Sequence, residues 1–191
     1  MCIRDRDNFL FVEDLTGRTK IKNISKEKVW EDSCLLFICK KEKNEIFCNN
    51  IVYPELSFSS LKRKIYLTFE NEAKTKDVNI IITNNETKVE GNKVYLNFSF
   101  QPCYQIKIND SLIVVLDLSK IEFDKEKIFK TRLIVTELEK TIKYGKDIFL
   151  LRENPSVFIL VGKETKILES NPLIIEVSRN VIIDNDKIIN I

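Results

Sequence analysis

The 191-residue chain contains no histidine, and that absence removes much of the chemistry side chains perform unaided. Histidine titrates near neutral pH and is the commonest metal ligand. Ser-His-Asp and Cys-His machinery and imidazole-bound metal centres are therefore excluded. Carboxylate-only magnesium sites and carboxylate-pair glycosidase chemistry stay formally open, but no spacing of acids singles one out. Asp117, after the apolar residues Ile113 to Leu116, stands where α/β enzymes often place a ligand carboxylate. A lone aspartate at a strand end is more often a loop cap, and that is the expectation here.

Cysteines occur at 2, 34, 39, 48 and 103, an odd number with no Cys-x-x-Cys pair. Zinc binding is weakly supported by such spacing; Cys34, Cys39 and Cys48 are expected as small apolar residues in strands. Reduced, buried cysteines suit a cytoplasmic protein. Arg18, Lys20 and Lys22 alternate, so in a strand they share one face and could follow a nucleic-acid backbone. Within that strand no aromatic interleaves them for base stacking, which favours a solvated face.

Composition sets the frame for these residues. Hydrophobic residues make up 43% and charged residues 31%, with only 4 Gly and 4 Pro; this is a globular composition, not a disordered one. The 31 basic and 29 acidic residues leave a net charge of +2, too little for a global field toward nucleic acid. Apolar runs such as Cys34 to Cys39 fall far short of the ~20 residues that span a membrane, and no secretory leader is recognisable.

The elements read as mostly strands. Met1-Cys-Ile-Arg-Asp-Arg6 does not read as a natural start; it looks like translated adapter sequence, so residues 1–7 are set aside. Residues 9–12 are an apolar strand, Glu13 to Gly17 a turn, and 18–22 an alternating strand. Ser25 to Trp30 is a candidate short helix capped by Ser25. Residues 33–39 and 45–53 are strands around a polar turn at 40–44. Further strands are expected at 64–69, 78–83, 94–100 and 112–116. One long helix is expected from Lys125 to about Tyr144, capped by Asp124 and Gly145, with Ile128, Val135, Leu138 and Ile142 on one face. Strands return at 148–151, 157–161, 173–177 and 181–183, a strand–helix–strand order that suggests a mixed α/β layer. No repeat of fixed period is visible.

Val12-Glu-Asp-Leu-Thr-Gly17, Trp30-Glu-Asp-Ser-Cys34 and Glu45-Ile-Phe-Cys-Asn-Asn-Ile-Val-Tyr-Pro-Glu55 together resemble the OB domain of the small, B-type subunits of replicative DNA polymerases, especially of archaeal family D. A calcineurin-like phosphoesterase domain follows in that family, and Ile167 to Val177 is similar to its late segment, with Asn171 and Pro172 matching. Its histidine-containing metal motifs are missing: Leu116-Asp117 stands where Gly-Asp would fall, and Arg152-Glu-Asn-Pro155 where Gly-Asn-His-Asp would. The resemblance therefore implies a β-rich α+β protein, with a truncated OB-fold barrel at 8–57 and a degenerate phosphoesterase-type α/β region at 61–191. It implies a non-catalytic scaffold that binds the large catalytic polymerase subunit, with weak nucleic-acid contact allowed for. No catalytic, metal or cofactor residue is assigned, and the expected location is cytoplasmic, associated with the nucleoid. A stand-alone OB-fold that binds single-stranded nucleic acid, or a tRNA-synthetase-type OB module, is the alternative, and it requires exposed aromatics on the barrel face. A carboxylate-only phosphoesterase is the third, and it requires Asp117, Glu153 and other acids to converge.

Overall fold

The computed structural model describes residues 2–6, 9–14, 17–23, 29, 36–54, 56–58, 60–61, 64–69, 78–108, 110–134, 146–185 and 187–191. The chain divides into two compact units, residues 1–56 with 124–150, and residues 57–123 with 151–191.

The first unit holds β1 (Cys2–Arg6), β2 (Phe9–Asp14), β3 (Gly17–Asn23), β4 (Leu36–Glu42), β5 (Glu45–Val52) and α1 (Lys125–Thr131). Its strands form one sheet in the order β1-β2-β3-β5-β4. Residues 2–6, set aside above, pair with β2 at five register positions, so they belong to this sheet whatever their origin. The β2–β3 hairpin closes at Asp14 and Gly17, as the turn residues predict. Alternation then separates the faces: Leu10, Val12, Ile21, Cys48 and Ile51 form the buried core of the unit.

That sheet is open, with β1 and β4 at its two edges, and this corrects the OB-fold barrel. The flanking strands and the turn are present, but a barrel requires the first and last strands to pair as well, and strand-and-turn patterning does not encode closure. Helix α1 corrects a second expectation. Asp124 caps it as expected, its side chain accepting from Lys127 N at 3.0 Å. The helix ends, however, at Thr131. Thr131 Oγ1 donates back to Lys127 O at 2.7 Å and accepts from Leu133 N at 3.2 Å, a local bond that competes with helix continuation. Arg132 then turns left-handed at φ 60, with Nε donating to Pro54 O at 2.7 Å. Residues 135–145, and with them Gly145, lie outside the described residues, as do Trp30 and most of the candidate helix at 25–30. The strand expected at 148–151 begins instead as a 3-10 turn, Lys146–Phe149.

The second unit is built from two sheets. One comprises β6 (Ile65–Phe69), β7 (Val78–Ile82), β8 (Lys88–Glu90), β9 (Lys93–Leu96), β15 (Val181–Asp184) and β16 (Lys187–Asn190). The other comprises β10 (Cys103–Ile108), β11 (Ser111–Asp117), β12 (Pro155–Val161), β13 (Lys166–Ser170) and β14 (Leu173–Val177). Ile65, Leu67, Ile80, Leu96, Val181 and Ile183 of the first meet Ile113, Val115, Val157, Ile159, Ile175 and Val177 of the second in one core. The spacing of two along each strand is why one side of each sheet turns inward. β11, β12 and β14 run parallel and bury both faces, which explains their unbroken apolar runs. The described residues are thus mostly β with one short helix and open sheets, and the phosphoesterase-type α/β expectation is corrected with the barrel.

A topological repeat ties the sheets together. Three times a strand is followed by an outlying strand that hairpins back to a third, parallel to the first: β3-β4-β5, β7-β8-β9 and β12-β13-β14. In each case the middle strand is a sheet edge.

Asn97, buried at the end of β9, organises the loops beside it. Its Nδ2 donates to Asn84 O at 2.8 Å and Asn85 O at 2.6 Å, and its Oδ1 accepts from Ser99 N at 2.8 Å. Its own carbonyl accepts from Tyr104 OH at 2.6 Å. Asn97→Ala is expected to cost about 1–2 kcal/mol, because removal leaves three part-buried backbone groups without their amide partner. A urea denaturation curve measures this, and a midpoint unchanged within error would show that water replaces the amide.

Candidate nucleic-acid interface

The outer face of the first sheet collects cations and rings. β3 contributes Arg18, Lys20 and Lys22 at alternate positions, which points them to the same side. Antiparallel pairing sets Phe9 opposite Lys22 and Phe11 opposite Lys20, and the parallel β3–β5 pairing sets Phe47 beside Lys22. The outcome is close: Lys20 Nζ lies 3.7 Å from the centre of the Phe9 ring, and Arg18 Cζ 4.9 Å from that of Phe11. Lys22 Nζ lies 5.5 Å from the Phe47 ring. All three rings are half-buried, while Arg18 and Lys20 are exposed.

These are cation–π distances, and among the described side chains each of these cations sits on a ring rather than on a carboxylate. Lys40, opposite Phe47 on the edge strand, differs, since Glu42 holds it at 2.7 Å. Sequence reasoning found the three cations but missed the rings, because the rings come from neighbouring strands. The available signal was the alternation Phe9, Phe11 on the strand that hairpins onto 18–22.

The other candidate residues are dispersed. Asp117 is the loop cap expected of it: Oδ1 accepts from Ser119 N at 2.9 Å and Ser119 Oγ at 2.7 Å. Glu153 pairs with Lys107 at 2.6 Å on the surface. β11 and β12 run parallel with Leu112 beside Pro155 and Asp117 beside Val161. Asp117 and Glu153 therefore flank opposite ends of the sheet, roughly 20 Å apart at ~3.3 Å per residue. Among the described residues, no three metal-binding side chains cluster. Asn154 braces a loop, its Nδ2 donating to Ser57 Oγ at 2.5 Å. Asn171 and Pro172, joined by a cis peptide bond, turn β13 into β14 and line a cavity of about 280 Å³ with Phe58 and Ser156.

Cys48 is buried in a strand as expected, and Cys103 is buried as well, whereas Cys39 is exposed, because β4 is an edge strand. Cys34 and Thr16 lie outside the described residues. No described helix is long and apolar enough to cross a membrane. No protein-family model matches the chain, and a search of curated proteins finds no match.

Proposed function

We propose that this chain is a non-catalytic binding protein that takes single-stranded nucleic acid on the outer face of the β1–β5 sheet. The observation that carries the reading is the interleaving of Arg18, Lys20 and Lys22 with Phe9, Phe11 and Phe47. Unpaired bases have accessible faces that stack on rings, while the strand's phosphates draw the cations off those rings into ion pairs. A duplex hides its base faces, so single strands are preferred. The near-neutral total charge does not oppose this, since a local stripe suffices for a short contact.

Titrating a labelled single-stranded oligonucleotide by fluorescence anisotropy tests the reading. Three phosphate contacts predict that log K falls with log salt at a slope of about −2, with weaker binding to duplex of the same length. Binding that ignores salt, or that favours duplex, would remove the basis for the proposal.

Scaffolding of a protein partner is the second reading, and the edge strands favour it. Leu36 is 63% exposed, Ile38 51% and Val89 70%, on the outlying strands β4 and β8. Open edges with exposed aliphatic residues are sites for pairing with another chain. The fold argument for a large polymerase subunit as that partner disappears with the barrel and the phosphoesterase layer; docking as such does not depend on either.

A further inference from the structure

We infer that Cys39 and Cys48 form a cross-strand dithiol site, oxidised to a cross-strand disulfide by a low-molecular-weight disulfide such as oxidised glutathione. The register carries the geometry. Cys39 and Cys48 are direct partners in the antiparallel β4–β5 ladder, immediately after the irregularity between Ile38 and Cys39. Directly opposed residues in such a ladder have Cα atoms about 4.5 or 5.5 Å apart, inside the roughly 4.4–6.8 Å range that a disulfide spans. Opposed residues also project to the same side of the sheet. The electrostatics agree with this placement: against the larger upward push of burial, Cys48 beside it draws the Cys39 thiol downward. The Cys48 thiol itself donates to Asn50 O at 3.4 Å.

Exposure divides the labour. Cys39 is open to solvent on the edge strand, while Cys48 is 0% exposed. The Cys39 thiolate attacks one sulfur of the small disulfide, forming a mixed disulfide and releasing one small thiolate, which takes up a proton. The Cys48 thiolate then attacks Cys39 Sγ, closing the protein disulfide and expelling the second small thiolate. Two protein thiols lose two electrons and two protons, and the small disulfide gains both to become two thiols. Burial raises the Cys39 thiol above its ordinary value, with the Cys48 hydrogen bond opposing that shift. The first step is accordingly slow at neutral pH and quickens as pH rises. Cys103 is buried and pushed upward by burial alone, with no cysteine among its register partners, so it stays unmodified.

This site stands apart from the nucleic-acid reading. The full chain is incubated with oxidised glutathione, alkylated, and cleaved with trypsin, which cuts at Lys40, Lys41 and Lys43 between the two cysteines. Peptides bearing Cys39 and Cys48 joined only by a disulfide, from monomeric protein, are the expected product, formed faster at pH 8.5 than at pH 7 on the ordinary thiol scale of about 8.5. In Cys48→Ser, glutathione is expected to remain on Cys39; in Cys39→Ser, Cys48 is expected to stay reduced. A stable glutathione adduct on Cys39 of the unaltered chain would overturn the inference. So would recovery of both thiols unreacted, or Cys48 joined to another cysteine.

Discussion

Phe158→Ala is expected to lower the unfolding free energy by about 3–5 kcal/mol, the usual cost of truncating a large buried aromatic. The side chain is 0% exposed at the centre of β12, the middle strand of its sheet. Its register partners, Val114 on β11 and Ile174 on β14, are buried to 0% and 2%. The three form a row across the strands on the face opposite Ile113, Val157 and Ile175. Phe123 meets the ring edge-on, with centroids 5.5 Å apart and planes at 61°, a pairing that adds about 0.5–1.5 kcal/mol beyond burial. Strands in a three-strand parallel ladder cannot close over the void, because each is fixed by its neighbours' hydrogen bonds. Total stability of such domains is about 5–15 kcal/mol, so the loss is a large share of it. Urea denaturation with a matched Phe158→Leu control measures the effect. A cost below about 1 kcal/mol would show that the ring does not sit in a close-packed site.

Reversing the cation stripe, with Arg18→Glu, Lys20→Glu and Lys22→Glu together, is expected to weaken single-strand binding about 100-fold or more. Three phosphate contacts contribute about 50-fold at ~0.15 M salt through counterion release, and reversal adds repulsion. Arg18 and Lys20 are exposed, and the core of this unit is built from the other face of the sheet. Far-ultraviolet circular dichroism should therefore keep its β signature. The neutral triple variant to Gln separates charge from shape: its salt slope should fall toward zero while weak stacking on Phe9, Phe11 and Phe47 persists. Unchanged affinity in the reversed variant, with the fold intact, would place any nucleic-acid contact elsewhere and leave the exposed edge strands as the better-supported surface.

Local chemistry was legible in the sequence wherever one segment decides the outcome alone. Asp124 caps a helix because its own side chain reaches Lys127 N. Asp117 closes its own loop. The lack of histidine, and with it of imidazole chemistry, is a fact of composition. The strands at 157–161, 173–177 and 181–183 are legible as short apolar runs of strand length. Only the tertiary structure decided the rest, because it depends on partners remote in sequence. Whether the first sheet closes is a question of pairing between its outermost strands, and no local pattern encodes it. The helix was over-read because a 3.6-residue period continues past Thr131, whereas a side-chain bond and a left-handed Arg132 end it there. The threefold strand return stayed hidden because the connections differ in length and β13 carries an extra residue, a register shift between Ile167 and Glu169. The cation stripe on 18–22 was visible, but its meaning was not: rings from β2 and β5 lie beside it only because hydrogen bonding sets strands about 4.8 Å apart.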